Sequence, residues 1–143
     1  LGHVGQVAKI NKEILDLLNH EQFIPVIAPV GMGQGGETFN INADLVAGEI
    51  AGALKAKKLI FLTDVTGVSD RHHNLISSMT IKDGKRLIRN KTVTGGMIPK
   101  IEAAIKAIKA GVEKAHIIDG RIPHAILLEL FTTRGIGTEI VGE

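Results

Sequence analysis

Apolar positions along the 143-residue chain follow helical spacing in some stretches and form short continuous runs in others. Val7, Ile10, Ile14, Leu17 and Leu18 recur near the ~3.6-residue helical period, with Lys9, Lys12, Glu13 and Asp16 between them, which predicts a surface helix. Phe23 to Val30, FIPVIAPV, is a short apolar run that predicts a strand. Its two prolines belong at strand ends, because proline cannot donate to a ladder. Ala43 to Leu54 is apolar on nearly every side, with only Asp44 and Glu49 charged, and predicts a buried helix. Leu59 to Thr63, LIFLT, is continuous rather than alternating, as strands of covered parallel sheets are. Val68 to Thr94 is less regular, with a turn signal at Asp83-Gly84 and a short helix expected around Lys85 to Asn90. Pro99 marks another helix start, with Ile101, Ala104, Ile105, Ile108 and Val112 on its apolar face and Gly111 as its stop. A strand at Ala115 to Ile118, a helix at Pro123 to Phe131 and a strand at Thr138 to Val141 complete the alternation. This order predicts an α/β fold with right-handed crossovers, in one domain spanning residues 1–143.

Composition narrows the function classes. The hydrophobic share is 44% and the charged share 22%, close to globular averages, so a packed core is expected. Net charge is only +2, and with 3% aromatics the chain has little stacking surface for exposed bases, so nucleic-acid binding is disfavoured. The absence of cysteine removes thiolate zinc sites and a cysteine nucleophile. The six histidines are scattered or adjacent, and no metal site is expected from them. No apolar run approaches the ~20 residues that span a bilayer, and no signal peptide is evident, which predicts a cytoplasmic domain without membrane contact. The first residue is Leu1, so a longer polypeptide is expected.

Three loops carry candidate chemistry, each beside a plainer alternative. Gly31, Gly33 and Gly36 satisfy G-x-G-x-x-G, with Asp64 at the end of a later strand, which allows a dinucleotide site. That site needs a helix opening at the last glycine, whereas Glu37 to Ile41 looks extended, so a glycine-rich turn is the alternative. In Asn40-Ile41-Asn42-Ala43-Asp44, Asn42 is a good helix N-cap and Asp44 a favourable first-turn acid. Polar groups at the mouth of an apolar helix also suit a ligand. Thr63 to Val68 and Thr92 to Lys100 form the third region. A lysine in the first turn opposes the helix dipole, so Lys100 after Gly95-Gly96 suggests a bound anion such as phosphate, or else a solvated helix start.

The segments IPVIAPVGMGQGGETFNINAD, LIFLTDVTGV, TVTGGMIPK and HIIDGRIPHAILLELFTTRGIGTEI, in this order, resemble the C-terminal part of the N-acetylglutamate kinases, of the amino acid kinase family. The resemblance implies a three-layer α/β sandwich with an open, mostly parallel sheet, incomplete in its N-terminal half. It implies phosphoryl transfer from ATP, with Mg²⁺ held mainly by the nucleotide, to the side-chain carboxylate of N-acetyl-L-glutamate in arginine biosynthesis. On that basis Asn40 would bind the acetylglutamate, Lys100 would stabilise the transferring phosphoryl group, and Asp44 would orient Lys100. Asp64, Val65, Thr66, Gly67, Val68 and Ser69 would line the nucleotide, and Thr92, Val93 and Thr94 would close over it. His124, Glu129, Gly135, Gly137 and Glu139 are candidates for an L-arginine effector pocket, against the alternative of a buried helix and a glycine turn. A second catalytic lysine, a phosphate-binding glycine loop and a substrate arginine, supplied by the family's N-terminal part, are absent. The 143 residues alone are therefore expected to be inactive, and the complete enzyme a homo-oligomer. Other functions compatible with parts of the pattern are another amino acid kinase, a dinucleotide-binding domain, or a non-catalytic arginine-sensing module. Arg71 to Asn74 receives no role.

Overall fold

The structure, a computed structural model, describes residues 3–133 and 135–143; Arg134, within the last quoted segment, lies outside them. Its elements are α1 (Lys12–His20), β1 (Val30–Met32), β2 (Thr38–Asn40), α2 (Ala43–Leu54), β3 (Lys58–Thr63), β4 (Ser78–Thr80), α3 (Ile81–Arg89), α4 (Met97–Lys109), β5 (Lys114–Asp119), α5 (Ala125–Phe131) and β6 (Thr138–Val141). The main sheet has the order β3-β5-β6-β4. β3 pairs parallel with β5 and β4 with β6, while β5 and β6 run antiparallel. Two of these three pairings are thus parallel.

Alternation along the fully buried stretch of β5 builds the layers. Ala115 and Ile117 face a core shared with Leu59, Phe61, Val68, Ile101, Ala104 and Ile140, which α2, α3 and α4 cover. On the opposite face His116 meets Glu129 of α5. Helices therefore lie on both faces, giving a three-layer α/β sandwich.

Several elements depart from the sequence pattern. The run FIPVIAPV forms no strand before Val30: Phe23, Ile24, Val26 and Ile27 are exposed, and no strand among the described residues pairs with them. Only residues 30–32 pair, antiparallel with β2. The first helix begins at Lys12, capped by Asn11, leaving Val7 and Ile10 outside it. Asp83-Gly84 is no turn. Asp83 closes a capping box with Thr80, and Gly84 lies inside α3, where a Cβ would sit 3.1 Å from Ile101. α4 starts at Met97, placing Pro99 within its first turn, and α5 starts at Ala125 rather than Pro123. α2 is buried along only one face, through Gly48, Ala51 and Gly52. Its Val46 and Ile50 border an apolar hollow of about 680 Å³ beneath α1 and residues 25–32. β4 has no counterpart among the expected strands.

Candidate active site

The G-x-G-x-x-G segment is the turn of the β1–β2 hairpin. Gly33 N–H donates to the Glu37 carbonyl at 2.8 Å, Gly36 takes a φ of +85°, and the chain continues into β2. With no helix opening there, the glycines cannot present helix N-terminal amides to a pyrophosphate, which overturns the dinucleotide-binding alternative.

Asn40, the last residue of β2, lies exposed just before the next helix, and Asn42 caps α2 by accepting the Leu45 N–H at 3.2 Å. Asp44 follows in the first turn. α2 and α4 lie side by side in the same direction, in contact through small residues. A Cβ on Gly48 would come 3.0 Å from the Ala103 carbonyl, and one on Gly52 would come 2.9 Å from Ala110. Only hydrogen at these α2 positions permits so close an approach. Glu49 and Lys106 pair across the same seam. At its mouth Lys100 Nζ stands 2.9 Å from Asp44 Oδ2, with 19% and 20% of the two side chains exposed. Both helix N-termini converge here, and the N-cap of α4, Gly96, makes no side-chain capping bond. An ammonium in this field of partial positive charge is offset by a single carboxylate. The remainder suits an incoming anion.

A cleft of about 520 Å³ opens close by, between the β3–β4 loop and the α3–α4 loop. Of the residues assigned to the nucleotide, Val65, Gly67, Ser69, Thr92 and Val93 line it. Val68 instead points into the core, Asp64 accepts from its neighbour Thr63 at the sheet edge, and the Thr94 carbonyl accepts the Met97 N–H at the start of α4. Thr66 is exposed. Asp70, Arg71, His73, Lys91 and Met97 also line the cleft, and composition gave no signal for them. Asp70 Oδ1 accepts the N–H groups of Asn74 and His72 at 2.9 and 2.8 Å, and these bonds, Asn74 foremost, hold its carboxyl below the usual range and fix the loop tip. From that tip Arg71 reaches Thr92 Oγ1 at 3.3 Å, so it bridges the two walls.

On the opposite face of the sheet, Glu129, Gly135, Gly137 and Glu139 border a hollow of about 300 Å³ with Lys58 and His116. His124 stands apart, exposed at the left-handed N-cap of α5 (φ 59°). Glu129 is buried and engaged. Oε1 meets His116 Nδ1 at 2.7 Å, and Oε2 accepts Ile136 N–H at 2.6 Å and Gly137 N–H at 3.2 Å. Burial pushes the Glu129 carboxyl up, but these partners outweigh it, with Ile136 foremost, and the net direction is down. Glu139 pairs with Lys114 at 2.6 Å. His116 joins this site without any sequence signal, being a lone histidine on a strand.

An α/β sandwich thus brings a lysine–carboxylate pair to two converging helix N-termini, beside a loop-walled cleft, an arrangement that suits an anion. Residues 2–119 match the model of the amino acid kinase family. The chain is 59% identical over 141 residues, 99% of its length, to an acetylglutamate kinase of Syntrophobacter fumaroxidans, of which it covers 47%. It also superposes on N-acetylglutamate synthase of Neisseria gonorrhoeae at 29% identity. The TM-score is 0.93 for the complex with coenzyme A and N-acetylglutamate and 0.92 for that with coenzyme A and L-arginine. In each, 99% of this chain and 33% of the other are covered. The chain belongs to the amino acid kinase family, and it spans about half the length of the curated relatives it matches.

Proposed function

We propose that this chain is the nucleotide-binding part of an acetylglutamate kinase, which moves the γ-phosphoryl group of ATP to the side-chain carboxylate of N-acetyl-L-glutamate. The observation that carries this is the Lys100–Asp44 pair at the mouth of the α2–α4 seam, next to the 520 Å³ cleft. In the reaction a carboxylate oxygen forms a bond to the γ-phosphorus while the bond to the bridging oxygen of ADP breaks, leaving an acyl phosphate. Such a transfer needs positioning and charge stabilisation more than covalent help. Lys100 places its ammonium against the oxygens of the migrating group. Asp44 orients that ammonium, and the N-termini of α2 and α4 add their dipoles. Asn40, at the entry to α2, binds the acetylglutamate, and the β3–β4 and α3–α4 loops hold the nucleoside.

Mg²⁺ would accompany ATP, held mainly by the nucleotide, and would neutralise part of the phosphate charge. The hollow around Glu129 and Glu139 is the proposed L-arginine effector site; since His116, Ile136 and Gly137 occupy Glu129, the guanidinium would meet Glu139 in competition with Lys114. The complete enzyme is proposed to be a cytoplasmic homo-oligomer; no helix among the described residues is long and apolar enough to cross a membrane.

The test is acetylglutamate-dependent ADP release by the intact polypeptide carrying this chain. Lys100→Ala is expected to lose about 2.7–4 kcal/mol of transition-state stabilisation, two to three decades in kcat. Turnover near that of the wild type would remove Lys100 from the mechanism.

A further inference from the structure

Thr138 opens β6 on the core face of the sheet with 0% exposure, and it touches neither Lys100 nor the cleft. Its hydroxyl oxygen accepts the Val68 N–H at 2.8 Å, across 70 positions of sequence. Val68 is also fully buried, so this amide has no recourse to water. Just upstream, Gly67 takes a φ of +147°, and a Cβ there would lie 2.7 Å from Thr138 Oγ1 and 3.2 Å from its backbone nitrogen. The loop wall formed by Gly67 is thus pressed flat against Thr138.

The other side of Thr138 is equally fixed. Gly137 N–H donates to Glu129 Oε2, and a Cβ on Gly137 would collide with the Ile117 carbonyl, so residue 137 cannot shift towards β5. A continuous chain of contacts therefore runs from Glu129 through Gly137 and Thr138 to Val68 and the cleft.

We infer that Thr138 is a positioning residue for the nucleotide: its hydroxyl sets the Gly67–Val68 backbone in the shape that binds ATP, and the turn at 135–137 anchors it. This rests on the nucleotide assignment made above. It makes ATP affinity depend on a side chain that never meets ATP.

The experiment uses the intact polypeptide, with AMP-PNP binding measured by calorimetry and KM determined separately for ATP and acetylglutamate. Thr138→Val keeps the shape but strands the Val68 N–H. The AMP-PNP Kd and the ATP KM are expected to rise about tenfold, as for a buried donor left unpaired. The acetylglutamate KM should stay within about twofold, a split that general destabilisation would not produce. Thr138→Ser restores the hydroxyl and is expected to recover wild-type affinity. If the valine variant does not fold, Thr138→Ala takes its place in the same comparison. Unchanged ATP affinity in the valine or alanine variant, or failure of serine to rescue it, overturns the inference. Absence of AMP-PNP binding by the wild type would instead overturn the nucleotide assignment itself, and this inference with it.

Discussion

Asp119 ends β5 in a fork: Oδ1 accepts Arg121 Nε–H at 2.9 Å, and Oδ2 accepts Nη2–H at 2.8 Å. The Arg121 side chain first, and its backbone N–H second, bring the Asp119 carboxyl down from 3.8 to about 2. A depressed carboxyl stabilises the fold above its unfolded value and loses that contribution as pH falls through its folded one. The gap in melting temperature between wild type and Asp119→Asn is therefore expected to be widest near neutrality and to close between about pH 4 and pH 2. A gap that stays constant across thermal scans in this window would show that the fork adds no pH-dependent stability. At this scale the sequence was legible where chemistry was out of place. Lys100 stands out because a cation in a first helical turn is unfavourable without a partner, and Asp44 supplies one at 2.9 Å. His116 and Thr138 were illegible, because their partners Glu129 and Val68 are 13 and 70 positions away and nothing in the residue types announces the meeting.

α2 shows how one element can be half legible. Its lack of polar positions suggested burial all round, yet only the Gly48–Ala51–Gly52 side is buried, and Val46 and Ile50 instead face the hollow beneath α1. Small residues at i and i+4 mark a close helix contact, a cue that apolarity alone does not give. Gly48→Leu is expected to force α2 from α4 and cost about 1–3 kcal/mol, as overpacking does. Because Asp44 lies one turn before Gly48, the same change should reduce turnover in whatever fraction folds. Denaturant titration and kcat at a permissive temperature check the two effects separately, and an unchanged midpoint would show that the seam yields freely. α3 illustrates the opposite error. Asp83-Gly84 looks like a turn by composition, but Thr80 and Asp83 form a reciprocal cap and Gly84 fits beneath Ile101, so tertiary packing overrides the local signal.

For the molecule as a whole, alternating helical and strand-like segments made the α/β sandwich legible. Burial on both faces holds for β5, whereas β3, read from its unbroken apolar run as covered on both faces, buries only Leu59 and Phe61 and leaves Leu62 exposed. The direction of β6 and the existence of β4 were not legible, since a three-residue strand carries too little pattern and pairing direction depends on contacts far apart in sequence. Phe23, Ile24, Val26, Val30 and Met32 form an exposed apolar ribbon on this chain, which spans about half of its relatives. Such a patch is expected to bind a hydrophobic dye and to promote self-association of the isolated 143 residues. Replacing Ile24 and Val26 by serine should lower dye fluorescence with little change in melting temperature, as both are over nine-tenths exposed. An equal signal from the two proteins would place the dye elsewhere. The strand order carries one more consequence. β6, the last of the described strands, is an interior strand, and among the described residues it provides the only ladder that joins β4 to the rest of the sheet. During synthesis the sheet cannot close until Val141 has cleared the ribosome, and a chain halted short of Thr138 would emerge with β4 orphaned and its core open to chaperones and proteases.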